Sequence, residues 1–150
     1  MPSAFFSCQQ LRRLNIRFCS SNPPRTVNGF GQLIKLKLLK VDIEDKVFGS
    51  LISSCPLLEE MQLEMLSILN HLEIVAPKLR LFCVGSAIKA ILFRNTPALT
   101  MVSLAICGPS VAAIFDQVGR DIIDHFGFLS NLENLHLDYY FLNVKVVSFL

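Results

Sequence analysis

One apolar pattern recurs along most of this chain and constrains its fold more than any other feature. It is clearest between Ser54 and Leu66, where four apolar residues stand at offsets 0, +3, +5 and +8 with glutamate and glutamine between them. This alternation predicts a turn that leads into a short strand with one apolar and one polar face. Such a strand buries its apolar face only against neighbours of the same design. The pattern therefore predicts stacked repeats.

The same four offsets can be laid along the chain six times. The quartets are Leu11, Leu14, Ile16, Cys19; Leu33, Leu36, Leu38, Val41; Leu58, Met61, Leu63, Leu66; Leu79, Phe82, Val84, Ala87; Leu99, Val102, Leu104, Cys107; and Leu132, Leu135, Leu137, Tyr140. Their first residues are 22, 25, 21, 20 and 33 positions apart. Repeats of about 20 to 29 residues that read L-x-x-L-x-L-x-x-N/C-x-L are the signature of leucine-rich repeats.

We therefore predict that residues 1–150 form one α/β leucine-rich-repeat domain, a solenoid or horseshoe of about six repeats. Parallel strands would line its concave face, and short helices or irregular returns its convex face. Asp45 is a candidate N-cap for a short helix to Ser54, because apolar residues recur there at helical spacing. Residues 71–74 and 89–93 leave little room for a helix and are expected to be extended. An apolar stripe at residues 111–126 predicts one or two further helices packed on the solenoid.

Composition and cysteine usage narrow the cellular setting. The longest uncharged run, residues 95–115, has about the length of a membrane span, but it contains Pro97, Pro109 and one of the quartets. We therefore expect a repeat strand there and not a membrane helix. The first eight residues lack the basic and apolar regions of a secretory signal. The five cysteines form no C-x-x-C pair, so we expect no disulfide framework or zinc site and a cytoplasmic or nuclear location.

Catalytic and metal-binding patterns are not found in the sequence. His71, His125 and His136 lie in separate repeats without metal-ligand spacing. A nucleophilic pair of Cys83 with His136 would require strands two repeats apart to converge, and no motif supports it. We therefore expect no enzymatic activity, no catalytic residues, no metal and no cofactor.

Short motifs at the starts of the repeats resemble a known family. They are Phe30-Gly31-x-Leu33, Ser54-Cys55-Pro56-Leu57-Leu58-Glu59, Ala76-Pro77-Lys78-Leu79, Asn95-x-Pro97-x-Leu99 and Leu129-Ser130-Asn131-Leu132-Glu133. With them, the chain resembles the leucine-rich-repeat portion of plant F-box/leucine-rich-repeat proteins, of the type that often carries a C-terminal FBD region. The resemblance covers nearly the whole chain, and C-P-L-L-E is its most distinctive motif.

The resemblance implies a protein–protein interaction module. In that family the repeats select a protein substrate, and a separate N-terminal F-box links it to a cullin-based ubiquitin ligase through a Skp-type adaptor. No leucine- and proline-led F-box precedes Leu11 and no FBD segment follows the repeats, so we do not expect this chain itself to hold the adaptor. Neither end has the pattern of a polar capping repeat, so we expect a fragment of a longer repeat protein.

Side chains at offsets +2, +4 and +6 are expected to project from the concave face, while those at +3 and +5 point inward. The candidate partner-binding residues at these positions are Arg13, Asn15, Arg17, Lys35, Lys37, Glu60, Gln62, Glu64, Leu81, Met101, Ser103 and His136. Residues 1–40 hold seven basic and no acidic residues, whereas residues 41–150 hold seven basic and twelve acidic ones. The face is thus predicted to change from basic to acidic, then apolar, then polar.

Four interpretations of this face remain open. It is a solvated basic surface without a partner, a docking face for a protein that is acidic toward the first two repeats, a nucleic-acid-associated module, or part of a structural or non-functional fragment. Nucleic acid is disfavoured because none of the assigned concave positions is an aromatic residue on which a base could stack.

Overall fold

The computed structural model describes residues 8–20, 30–66, 69–86, 88, 90–105 and 129–138. In chain order the elements are β1 (Arg13–Ser20), β2 (Lys35–Asp42), α1 (Asp45–Ser53), β3 (Glu60–Met65), β4 (Leu72–Val75), β5 (Leu81–Gly85), β6 (Ile91–Arg94), β7 (Met101–Ala105) and β8 (Asn134–Leu137). Six of the strands form the main sheet in the order β1, β2, β3, β5, β7, β8, and every neighbouring pair is parallel. Strands β4 and β6 pair in a second sheet on the return side.

The same turn precedes each strand of the main sheet. A leucine N–H donates to the carbonyl three residues earlier, at 3.0 to 3.2 Å. The donor and acceptor pairs are Leu11 and Cys8, Leu33 and Phe30, Leu58 and Cys55, Leu79 and Ala76, Leu99 and Thr96, and Leu132 and Leu129. The donor is the first residue of each quartet, so the predicted turn-and-strand unit is confirmed at all six positions.

At the start of each strand pairing, one carbonyl accepts two N–H groups from the following repeat, in addition to the hydrogen bonds of the sheet itself. The carbonyl of Arg12 accepts hydrogen bonds from the N–H groups of Ile34 and Lys35. The carbonyls of Ile34, Glu59, Arg80 and Thr100 each accept two N–H groups from the following repeat in the same way. The last of these steps joins β7 to β8, so the sixth quartet continues the ladder although it starts 33 residues after the fifth.

The core lies between the main sheet and the returns. Alternate residues of the strands point inward and are buried, among them Leu36 and Leu38, Met61 and Leu63, Phe82 and Val84, and Val102 and Leu104. From the return side, α1 contributes Phe48, Leu51 and Ile52, and β4 contributes Leu72 and Ile74. Phe82 meets Phe93 of β6 edge to face, with ring centroids 5.4 Å apart. The apolar face of each strand is therefore buried against the returns and the adjacent repeats.

The prediction that Leu66 points inward is wrong. In β1 and β2 one residue with positive φ, Phe18 at 51° and Lys40 at 54°, lies between the third and fourth quartet positions. The register pairs Val41 with Met65, so Met65 takes the buried position and Leu66 is 65% exposed. The corresponding positions 19, 87, 107 and 140 lie outside the described side chains.

The returns agree with the sequence in part. Helix α1 is present, but its N-cap is Glu44, so the assignment of that role to Asp45 is wrong. The Asp45 carboxylate instead accepts a hydrogen bond from the His71 N–H at 3.4 Å, which ties α1 to the next return. Strands β4 and β6 confirm the extended returns, and their pairing adds a second sheet. The helix predicted at residues 111–126 lies outside the described residues.

The leucine-rich-repeat solenoid is thus confirmed, and among the described residues it contains one helix, α1. Six strands in the main sheet match the predicted number of repeats, but complete turns of the solenoid are fewer. Consecutive turns are described only between β2 and β7, and residues 67–68, 87 and 89 within that range lie outside the described residues. Within the described ranges, no helix has the length and apolar character needed to cross a membrane.

Candidate functional site

The outward side chains of the main sheet form continuous rows, because its strands are parallel and in register. The first row is Arg13, Lys35, Glu60, Leu81, Met101 and Asn134. The second row is Asn15, Lys37, Gln62, Cys83, Ser103 and His136. The third row has two described parts, Arg17, Leu39 and Glu64, and then Gly85 and Ala105. We call these three rows the open face; they contain every site residue predicted from the sequence.

The open face is accessible along its whole length. Its members are exposed on β1 and partly exposed on β2, β3, β5 and β7, where they alternate with buried residues. On β8 the outward residues Asn134 and His136 are exposed. A partner could therefore contact side chains from all six strands without any change in the core.

The basic end of the open face is partly neutralised within the chain. Lys35 forms an ion pair with Glu60 of the next strand. On β1, Arg17 Nε donates to Asn15 Oδ1 at 3.4 Å. Among the described residues, Arg13, Arg17 and Lys37 form no ion pair, so their positive charges remain available to a partner.

The other end of the open face is apolar and stepped. Leu81 and Met101 lie side by side in the first row, and Cys83 lies beside Ser103 in the second. The third row there holds only Gly85 and Ala105. Because side-chain volume falls from the first row to the third, the surface over β5 and β7 descends from an apolar ridge to a nearly bare backbone. We call this feature the depression.

The thiol of Cys83 is not activated. Burial raises the pKa of Cys83, and Glu60 adds to that rise, while the positive charge of Lys37 and a hydrogen bond with Ser103 oppose it. A raised pKa keeps the thiol protonated, whereas a nucleophile needs thiolate. Cys83 and His136 stand two strands apart, roughly 10 Å at the usual strand spacing. The two strands do not converge, so this geometry offers no Cys–His pair.

Across the described segments, no group of three or more His, Cys, Asp or Glu side chains is placed to hold a metal ion. His71 and His136 are both exposed, on the return side and the open face respectively. His125 lies outside the described residues.

Two features near the open face were not found from the sequence. A cavity of about 570 Å³ beside the first two turns is lined by Gln9, Gln10, Arg12, Gly31 and Gln32. The sequence offered one sign of this cavity. The third, fourth and fifth turns have a proline as their second residue, at positions 56, 77 and 97, whereas the first two turns have none. At the carboxyl edge of β1, the Phe18 ring is 75% exposed and the Lys40 ammonium lies 5.5 Å from its centroid. No signal for it is present in the sequence, because the fourth quartet residue stands at offset +8 in every repeat.

Comparison with known proteins identifies the repeats. Residues 1–113 match the family described as "FBD-associated F-box protein At5g56370, LRR repeats". The chain belongs to this family. Such FBD-associated F-box repeats are a protein-interaction module, and their match confirms the resemblance seen in the sequence.

Two plant relatives show how far the similarity extends. The F-box/FBD/LRR-repeat protein At1g13570 of Arabidopsis thaliana is 32% identical over 136 residues, or 90% of this chain. The F-box/LRR-repeat protein 25 of the same plant is 31% identical over 73 residues, or 49% of this chain. The matched parts make up 32% and 28% of these relatives, so the similarity covers about a third of each relative's length. No solved structure gives a significant match.

Proposed function

We propose that the open face binds a protein substrate, and that the chain serves as the substrate-recognition segment of an F-box protein in a cullin-based ubiquitin ligase. The observation that carries this proposal is the set of three registered rows, whose side chains change from strand to strand above a uniform buried layer. A rigid sheet holds such side chains at fixed spacing, and this favours recognition of another protein.

The ligase connection is proposed through the F-box and not through the open face. Both curated relatives carry F-box in their names, and the similarity covers about a third of each relative's length. A Skp-type adaptor would bind an F-box, which leaves the repeats free to hold the substrate. The module would act in the cytoplasm or nucleus, by binding and not by catalysis.

The proposed contacts differ in strength along the open face. Arg13 and Lys37 are the best candidates for contacts with an acidic partner, because Lys35 is already paired with Glu60. Charge pairs at the rim of an interface act mainly on the rate of association and on its salt dependence. The partly exposed Leu81 and Met101 would supply the apolar contact that excludes water.

Affinity capture tests this proposal. The tagged chain and its Arg13→Glu/Lys37→Glu variant are incubated with native extract, and the bound proteins are identified by mass spectrometry. The matched control is Lys46→Glu/Lys78→Glu, which makes the same charge change at exposed positions on α1 and on a turn. We expect a specific partner whose recovery falls at least about tenfold in the open-face variant and is unchanged in the control.

The same experiment includes controls for misfolding of the variants and for binding through nucleic acid. Circular dichroism must show that both double variants keep the wild-type spectrum. Equal recovery of the partner by all three proteins would contradict the placement of the binding site on the open face. Loss of the captured partner after nuclease treatment would favour nucleic acid over protein.

A further inference from the structure

We infer that the open face takes an extended protein segment with an acidic residue and, three or four residues away along that segment, an aliphatic or aromatic residue. The inference rests on the proposed function and names the chemical class of its substrate. The acidic residue lies over β1 and β2, and the apolar residue fills the depression over β5 and β7.

The acidic requirement follows from the charges that the chain does not neutralise itself. Lys37 stands in the middle row between Asn15 and Gln62, which are uncharged. Arg13 and Arg17 flank it from β1, in the first and third rows. A carboxylate above Lys37 would therefore be attracted by Lys37 directly and by two further cations on β1, whose positions in the sheet lie diagonally from Lys37 at roughly 8 Å.

Two glutamates limit where the carboxylate can lie. Glu60 is held by Lys35 and therefore does not cancel the charge of Lys37. Glu64 borders the basic cluster in the third row of β3, next to Leu39. Because like charges repel, the acidic residue of the partner is confined to β1 and β2. These two glutamates also oppose a polyphosphate that would cross the sheet.

The apolar requirement follows from the depression. Leu81 and Met101 form its wall, and Gly85 and Ala105 leave room beside them. Cys83 and Ser103 stand side by side between the wall and the floor, and both side chains are small. An apolar side chain of the partner can therefore lie over this pair and against the wall. On β8 the face returns to the exposed polar residues Asn134 and His136, which bound the depression.

The spacing follows from strand geometry. The depression begins two strands beyond β2, at β5, and ends three strands beyond it, at β7. Adjacent strands lie about 4.8 Å apart, so the two contacts are separated by roughly 10 to 14 Å. Both side chains must also face the sheet. Residues four apart do so in a β segment, which spans about 13 Å, and residues three apart do so in a polyproline II segment, which spans about 9 Å.

Selection from a random peptide library displayed on phage tests the inference with the chain as bait. Enriched sequences are synthesised with a fluorescent label, and their dissociation constants are measured by anisotropy. We expect an aspartate or glutamate three or four residues from a Leu, Ile, Met, Phe, Tyr or Trp. Moving the two residues next to each other, or six apart, should weaken binding at least about tenfold.

Three variants of the chain locate each contact. Lys37→Glu should weaken acidic peptides at least about tenfold, with Lys46→Glu on α1 as the control of equal charge. Ser103→Phe should block the depression and weaken the same peptides. Met101→Ser, which only shortens a partly exposed side chain, removes the Met101 half of the wall without the added bulk of Phe, and should also weaken the peptides.

The outcomes separate the inference from the proposed function. Enriched peptides of other composition that are still lost on Lys37→Glu or Ser103→Phe would overturn the inference and keep the open face as a binding site. Peptides unaffected by all three variants would contradict both. The inference would also be overturned if no peptide is enriched, or if single-stranded nucleic acid displaces the peptides whatever their spacing. Capture from extract tests the proposed function independently of these outcomes.

Discussion

Residues that face the two sides of the main sheet alternate along the same strands, yet their residue types vary differently from one repeat to the next. On the inner side, each of the strands β2, β3, β5 and β7 places Leu, Met, Phe or Val at equivalent buried positions. On the open face, the same strands change from lysine on β2 to glutamate on β3 and leucine on β5 within one row. The difference indicates that side-chain packing between the repeats constrains the inner side far more than the open face, which leaves the open face free to acquire a binding specificity.

The largest expected effect is a loss of stability when an inner-layer residue is truncated, compared with truncation of its neighbour on the open face. Phe82 is fully buried and meets Phe93, whereas its neighbour Cys83 points outward and is partly exposed. We expect Phe82→Ala to lower the free energy of unfolding by about 3 to 5 kcal/mol, because it leaves a cavity. Cys83→Ala should change it by less than about 0.5 kcal/mol. Urea unfolding of both variants measures the difference, and similar losses would refute the contrast.

A thiol in the inner layer offers a second comparison, read through pH. Cys55 is 1% exposed and its Sγ donates to the Leu51 carbonyl at 3.1 Å. Burial raises the pKa of Cys55 from the usual 9.0 to about 11, against a lowering by the Ser54 hydrogen bond. In the unfolded chain the thiol ionises first, so its contribution to stability is complete below about pH 9 and is lost as the pH rises to about 11.

The wild-type protein should lose stability as the pH rises from 9 to 11. We expect Cys55→Ala to remove the part of this loss that comes from Cys55, on the order of 2 kcal/mol. The measurement is urea unfolding at pH 7, 9, 10 and 11 under reducing conditions. Cys83→Ala serves as the control from the open face and should keep most of the loss. If Cys55→Ala and the wild type lose stability in parallel over this range, the burial of Cys55 does not govern the alkaline loss.

The smallest expected effect concerns the ion pair on the open face. Lys35 and Glu60 are both partly exposed, so their coupling should be only about 0.2 to 1 kcal/mol. A double-mutant cycle with Lys35→Ala and Glu60→Ala measures it, and the coupling should shrink as salt is raised. A coupling above about 2 kcal/mol, or one insensitive to salt, would mean that the open face takes part in stability as the inner layer does.

Much of this fold could be predicted from the sequence, because the quartet spacing and the period of two fix which way each residue points. The exception at Leu66 has a clear physical reason. Met65 and Leu66 are both apolar, and the choice between them depends on a positive φ at Lys40 in β2 that has no counterpart in β3. Spacing of apolar residues carries no information about such a backbone conformation.

The grouping of the candidate site was also predictable, since equal offsets in successive repeats become neighbours in a row. The ion pair of Lys35 with Glu60 was not predicted, although the two residues share the offset +2, because it requires both side chains to turn toward each other across the strands. The pairing of β4 with β6 was missed for a similar reason, as each return alone is too short to reveal its partner. The binding role of the open-face residues stays a prediction.

The shared carbonyl between repeats has a consequence for how much sequence this architecture tolerates. The Thr100 carbonyl joins β7 to β8 in the same way that the Arg12 carbonyl joins β1 to β2, although the starts of the quartets are 33 and 22 residues apart. The linkage specifies two amides and one oxygen, and it sets no limit on the length of chain between them. Long segments can therefore be inserted between repeats without changing the surface that the strands form.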